Sequence, residues 1–226
     1  MINQKIVIPE VDNYLSKISV SDRIETDIGR IYSINGKEYP SCTTILGVTS
    51  DKSGLDNWKL RVGDEEAASI LKEAGIRGTS MHNLIENHFS GLYIDTEEKG
   101  FPLYKQLIPF LNNIIPVAME IPLYSDHLKI AGRCDLIGYN KKNDLLTIFD
   151  WKTSRKTKQK EWITDYFLQA TLYALMAYEC IGLEIKDIQI VIGVDNDLPL
   201  RYNESVGNFI KPAIRRVRTY YEDCNV

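Results

Sequence analysis

The stretch GRCDLIGYNKKNDLLTIFDWKTSRK, from Gly132 to Lys156, contains two apolar runs rich in strand-forming residues, joined by a polar turn at 141–144. Each run carries one carboxylate, Asp135 in the first and Asp150 in the second. Strands that bury a core normally exclude such charges, because an unpaired buried carboxylate is costly and is usually paired or bound to a metal. The stretch therefore predicts a hairpin of two strands that carries a functional site.

The spacing of side chains in this hairpin brings three charged groups together. Alternation along a strand places Asp150 and Lys152 on one face, and Asp135 lies on the neighbouring strand. Mg²⁺ prefers oxygen ligands and is usually held by one or two carboxylates, with water and phosphate completing its coordination. A cation there would activate water and neutralise charge on phosphorus, and Lys152 would orient the nucleophile or stabilise that charge. The pattern favours phosphodiester hydrolysis; the alternative is an ordinary surface ion pair next to a strand-end turn.

Length and composition predict one domain over residues 1–226, since the chain has 226 residues and is 44% hydrophobic. Its net charge of -4 gives no general signal for nucleic-acid binding. A local signal exists between residues 129 and 160, where nine basic residues stand against three acidic ones. This run predicts a polyanion-binding patch, with a solvated charged loop as the alternative.

The four cysteines are scattered without paired spacing, which argues against a zinc site, an iron-sulfur cluster or a disulfide framework. The N-terminus lacks the pattern of a secretory signal, and no apolar run approaches the roughly 18 residues of a membrane span. We therefore expect no membrane association and no secretion. The expected location is the cytoplasm of a bacterium or of a phage-infected cell.

Periodicity predicts an α/β fold in which a mixed sheet is covered by helices on both sides. Asn35-Gly36 predicts a hairpin turn, and Ser41 can cap a short helix after it. A helical pattern begins at Leu55 and breaks near 75–78, where a new helix capped by Thr79 or Ser80 is expected. The other predicted helices cover 103–115, 161–182 and 206–222, and the predicted strands cover 118–125, 128–140, 145–153 and 188–194.

These residues together resemble the PD-(D/E)XK nuclease superfamily. Asp135 and Asp150-Trp151-Lys152 look like its core motif, with Cys134 where the motif has proline. The segment RGTSMHNLIE resembles the histidine-bearing helix of the RecB-type branch, and LQATLY resembles its Gln-x-x-x-Tyr helix. Further segments between residues 40 and 195 are similar to the mitochondrial genome maintenance exonucleases and their phage relatives.

The resemblance implies a restriction-endonuclease-like core with a helical N-terminal elaboration. Residues 1–28 stay unassigned, 29–116 form a hairpin and helical part, 117–195 the catalytic core, and 196–226 a C-terminal helix. It also implies the roles of the site residues. The metal ligands are His82, Asp135, Asp150 and the Trp151 carbonyl; the catalytic lysine is Lys152; Gln169 and Tyr173 support the lysine or a phosphate.

Two further acids have alternative roles. Glu86, one helical turn after His82, either holds the imidazole ring or binds the metal through water. Glu120, at the beginning of a predicted strand, is either an outer acid of the site or an exposed strand end.

The predicted function is a DNA exonuclease that depends on Mg²⁺ or Mn²⁺ and acts on single strands with a free end. Mn²⁺ is included because imidazole is a softer ligand than a carboxylate. The alternatives are a structure-specific or restriction-like endonuclease and a non-catalytic DNA-binding subunit of the same fold. The residues predicted to contact DNA are Arg155, Lys156, Lys158 and Lys160 after the catalytic strand, and Trp58 and Arg61 in an earlier helix.

Overall fold

The computed structural model describes residues 6–223, apart from the side chains of residues 21 and 22. Residues 1–5 of the unassigned N-terminal segment, and Cys224 among the cysteines, lie outside this range. Among the described residues, no helix is both long and apolar enough to span a bilayer.

The N-terminal part of the described chain consists of one helix, a small antiparallel sheet and four further helices. Asn35 and Gly36 both have positive φ and form the predicted hairpin turn between the second and third strands. Ser41 caps the next helix, because its hydroxyl accepts a hydrogen bond from the Thr44 backbone N–H at 2.9 Å. The elements are α1 (Pro9–Lys17), β1 (Val20–Thr26), β2 (Gly29–Ile34), β3 (Lys37–Pro40), α2 (Cys42–Val48), α3 (Ser53–Val62), α4 (Asp64–Ser90) and α5 (Phe101–Leu111).

The rest of the described chain forms a mixed sheet of five strands. The strand order is the chain order, and every neighbouring pair is antiparallel except the third and fourth strands, which are parallel and joined by a crossover helix. The elements are β4 (Ile114–Ser125), β5 (Ile130–Asn140), β6 (Leu145–Ser154), α6 (Thr164–Ile181), β7 (Asp187–Val194), β8 (Leu200–Ser205) and α7 (Ile210–Asp223).

Helices cover both faces of the central sheet. One face packs mainly against α6, and α1, α2 and α7 complete that hydrophobic core. The other face packs against α4 and α5. The small N-terminal sheet has its own apolar cluster of Tyr32, Ile34, Tyr39 and Ala131, the last of which belongs to β5. The predicted α/β class, a mixed sheet flanked by helices, is confirmed.

The predicted break near 75–78 is wrong, because α4 continues through it as one helix of 27 residues. A glycine inside a helix costs only about 1 kcal/mol, so packing can override it. Gly78 also lies where α4 approaches β6: a Cβ added there would stand 3.7 Å from Thr153 Oγ1. Ser80 does not cap a helix; its hydroxyl donates to Glu98 Oε2 at 2.7 Å and accepts from the Gly100 N–H at 2.8 Å.

Two further boundaries differ from the prediction. The helix expected over 103–115 ends at Leu111, and β4 begins at Ile114. The strand β8 was not predicted. Its sequence is mostly polar and its residues alternate between half-buried and exposed, so it lacks the apolar run that identifies a buried strand.

Candidate metal and active site

The two acids of the hairpin lie where its strands separate. The paired residues of β5 and β6 end with Leu136 opposite Phe149. The next residues toward this end of the pair are Asp135 and Asp150. Asp135 Oδ2 accepts a hydrogen bond from the Trp151 backbone N–H at 2.8 Å. The Asp135 carboxylate therefore accepts the hydrogen bond that a backbone carbonyl would accept if the pairing of β5 and β6 continued.

A third acid, Glu120, stands at the same level on β4. Pairing of Met119 with Leu136 and of Ile121 with Cys134 places Glu120 beside Asp135. Glu120 has φ +46, a left-handed conformation that is uncommon for residues other than glycine and costs about 1–3 kcal/mol. It is half-buried in the middle of β4, not at a strand end. Its sequence signal is the one that identified Asp135, a charge within an apolar run.

The helix α4 brings His82 to this row of acids. His82 Nε2 lies 3.0 Å from the Trp151 carbonyl oxygen, and Nδ1 lies 3.7 Å from Asp135 Oδ1. Because a carbonyl can only accept, Nε2 donates this hydrogen bond, and Nδ1 is the ring nitrogen that faces Asp135. Ligand atoms of His82, Glu120 and Asp135 all lie within 4.8 Å of one another. These three side chains can converge on one cation.

Asp150 lies close enough to Asp135 and His82 to interact with them electrostatically, and it pairs with Lys152. Its side chain is fully buried and forms an ion pair with the Lys152 ammonium. Burial raises the pKa of Asp150 to about 6, although Lys152 opposes that change. Burial alone would lower the pKa of Lys152, but the nearby Asp150 and Asp135 carboxylates raise it overall, so the ammonium stays charged.

The electrostatics of the site fit a divalent cation. Burial, and then the neighbouring Asp135 carboxylate, raise the pKa of Glu120 to about 7. Among the described residues, Asp150 Oδ1 has no hydrogen-bond partner although it is buried. A buried oxygen without a donor and several carboxylates that repel one another are both relieved by a cation. Carboxylate oxygens with one imidazole suit Mg²⁺ or Mn²⁺.

The site opens into a cavity of about 400 Å³. His82, Glu120, Asp135 and Lys152 line it, together with Glu86, which is exposed one helical turn from His82. Two buried residues of α6 also line it: Gln169 Nε2 donates a hydrogen bond to the Tyr173 hydroxyl at 2.9 Å. The ammonium of Lys152 lies 5.2 Å from the ring centroid of Tyr166, an aromatic contact that the sequence did not indicate.

The basic residues predicted to bind DNA lie outside the lining of this cavity. Lys156 is exposed. Each of the other three contacts another side chain: Arg155 pairs with Glu73 at 3.2 Å, Lys158 donates to the Tyr166 hydroxyl at 2.9 Å, and Lys160 pairs with Glu204. In α3, which packs on α4, Trp58 is half-buried and Arg61 is exposed. A DNA-binding role for these six residues stays a prediction.

Comparison with known proteins agrees with this geometry. Residues 110–186 match the family model of the PD-(D/E)XK nuclease superfamily. The matched segment is less than half of the chain and contains Asp135, Asp150 and Lys152. This part of the chain is similar to the PD-(D/E)XK nuclease superfamily.

A solved structure from Eubacterium rectale, described as a candidate exonuclease, is similar at 13% sequence identity with a TM-score of 0.43. The similarity covers 64% of this chain and 63% of that one. No curated protein matches the chain.

Proposed function

We propose that the protein is a DNA exonuclease that requires Mg²⁺ or Mn²⁺ and removes nucleotides from single-stranded ends. The observation that carries this proposal is the row of Glu120, Asp135 and Asp150 across three strands, with His82 and Lys152 at its sides. A protein that only binds DNA has no need for buried carboxylates, since they repel phosphate and destabilise the fold.

The residues of the site divide the work of phosphodiester hydrolysis between them. His82, Glu120, Asp135 and Asp150 would hold the cation. When bound, a divalent cation lowers the pKa of water and neutralises charge on the phosphate. Asp150 also fixes the Lys152 ammonium by their ion pair. That ammonium is a positive charge already in place, and it stabilises the negative charge that develops on phosphate oxygens in the transition state.

The surrounding polar groups support the cation, the imidazole ring and the substrate. Glu86 is exposed in the cavity, where it would bind the cation through water. The Trp151 carbonyl, which the resemblance makes a metal ligand, accepts a hydrogen bond from His82 and so fixes the orientation of the imidazole ring. Gln169 and Tyr173, hydrogen-bonded to each other on the cavity wall, provide donors for a phosphate oxygen.

Specificity for a single-stranded end is supported by α3, which comes directly before the helix that carries His82. Trp58 and Arg61 on α3 offer an aromatic ring and a cation, the combination that holds single strands by stacking and charge.

The test is a cleavage assay on linear single-stranded, circular single-stranded and blunt duplex DNA of equal length. We expect rapid loss of the linear single strand with Mg²⁺ or Mn²⁺, no activity with a chelator, and resistance of the circle. Asp135→Asn and Lys152→Ala should each reduce the rate at least about 100-fold.

The matched control is Glu184→Gln, because Glu184 is an exposed carboxylate with only a surface ion pair to Lys186. Equal cutting of circle and line would contradict an exonuclease and favour an endonuclease. Full activity of Asp135→Asn, or full activity with the chelator, would contradict the metal site.

A further inference from the structure

Three arginines line the cavity, Arg23, Arg30 and Arg133, and none of them belongs to the basic residues at 155–160 that follow β6. Arg23 lies on β1 and Arg30 on β2, so the small N-terminal sheet forms one wall. Arg133 lies on β5, between Gly132 and Cys134. Its positive charge is close enough to Glu120 to oppose part of the rise in the pKa of that carboxyl. The cavity therefore combines an acidic metal site with a basic wall.

Arg30 is held rigidly at this wall. Its backbone N–H donates to Thr44 Oγ1 at 2.8 Å, and its carbonyl accepts from the same hydroxyl at 3.0 Å and from the Ser41 N–H at 2.8 Å. Its side-chain Nε donates to Glu25 Oε1 at 2.8 Å. A guanidinium fixed through Nε still presents its terminal nitrogens, which is the fork geometry that binds phosphate.

The lining favours contacts to the nucleic-acid backbone over contacts to bases. Its two tyrosines, Tyr32 and Tyr173, are each only 3% exposed, so neither ring offers a face for stacking. Arg23 shares the Glu25 carboxylate with Arg30, at 3.4 Å, and the three charges leave a net positive charge on this wall. Among the described residues, no carboxylate lies within 4.0 Å of the Arg133 guanidinium.

We infer that Arg23, Arg30 and Arg133 bind successive backbone phosphates of a single strand and guide its end to the metal site. This inference rests on the proposed function and names the surface that delivers the substrate. It assigns the DNA path to the N-terminal sheet and β5, in addition to any contacts made by the residues after β6.

The test measures binding of a fluorescent oligothymidylate by anisotropy, with a chelator present so that no strand is cut. The slope of log affinity against log salt reports phosphate contacts, at roughly 0.7 for each phosphate on a single strand. We expect the slope to fall by about 1.4 in Arg23→Gln/Arg30→Gln and by about 0.7 in Arg133→Gln. The matched control is Arg215→Gln/Arg218→Gln, which changes two exposed arginines of α7 and should leave the slope unchanged.

Unchanged slopes in both Arg23→Gln/Arg30→Gln and Arg133→Gln would overturn the inference. Arg155→Gln/Lys156→Gln tests the basic residues after β6 in the same way, and a fall in slope in that variant alone would also overturn it. Arg133→Gln guards against a folding artefact, because Arg133 takes part in none of the ion pairs between residues that the structure describes. Failure of the proposed function would show separately, as absent cleavage in the metal-dependent assay, while the salt slopes measured with the chelator would still be readable.

Discussion

Replacing Glu120 with Gln should stabilise the metal-free protein at alkaline pH. Glu120 is half-buried beside Asp135, and this raises its pKa from 4.5 to about 7. The ionised carboxylate is therefore less favourable in the folded state than in the unfolded state. Gln has nearly the same size and cannot ionise, so Glu120→Gln removes that penalty.

The magnitude follows from the pKa difference. At about 1.4 kcal/mol for each pKa step, a change from 4.5 to about 7 corresponds to about 3 kcal/mol. Water screens part of this for a half-buried group, and about 2 kcal/mol is a suitable expectation. For a chain of this length that equals a rise in Tm of about 4–8 °C. The penalty develops as pH rises from 4.5 through 7, so the gain should be nearly complete at pH 8 and small at pH 5.

The assay is thermal unfolding with a chelator at pH 5 and pH 8, with Glu184→Gln as the exposed control. Adding Mn²⁺ at pH 8 should stabilise the natural protein more than the variant, because the variant lacks a carboxylate ligand and a cation that binds the folded state more tightly stabilises it more. A Tm difference that is the same at both pH values, or a lower Tm for Glu120→Gln at pH 8, would refute this reasoning.

Three further predictions concern the neighbouring residues. His82→Ala should weaken Mn²⁺ binding at least about tenfold, and identical calorimetric isotherms would contradict its role as a ligand. Tyr166→Leu removes the ring 5.2 Å from the Lys152 ammonium and should lower kcat about fivefold without changing metal affinity. Tyr166→Phe keeps the ring and should retain most of the kcat. An equal loss of kcat in both variants would contradict a cation–π contact. Gly132→Ala should destabilise the fold by about 1–3 kcal/mol, since its Cβ would lie 2.6 Å from Tyr173 Cε1, and an unchanged Tm would refute this packing.

The sequence indicated the parts of the site that depend on local pattern. Asp135 and Asp150 were identified because a charge inside an apolar strand is unusual, and the pairing of Asp150 with Lys152 follows from strand alternation. The role of Glu120 stayed open, because it depends on the register of β4 against β5 and on a positive φ, and neither can be predicted from the residue type. Tyr166 was missed because its contact with Lys152 is tertiary.

The same distinction explains the errors in the helices and strands. The glycines near 75–78 predicted a break because local propensity disfavours them in a helix. In the fold, α4 packs closely against β6 and α5 at Gly78 and Met81, and this contact keeps the helix continuous. Packing between distant segments decided the outcome, and a single sequence carries little information about it.

Several unusual features of this structure coincide at one level of the central sheet. Glu120 has a left-handed backbone, Asp150 is buried with an oxygen that lacks a donor, and Asp135 takes a strand N–H with its side chain. Elsewhere the same strands bury apolar side chains in the regular pattern of a packed sheet. Unfavourable features that coincide in this way persist where function requires them. A divalent cation would offset the energetic cost of burying these three carboxylates and would reduce their mutual repulsion. Metal binding and the stability of this part of the sheet should therefore be coupled.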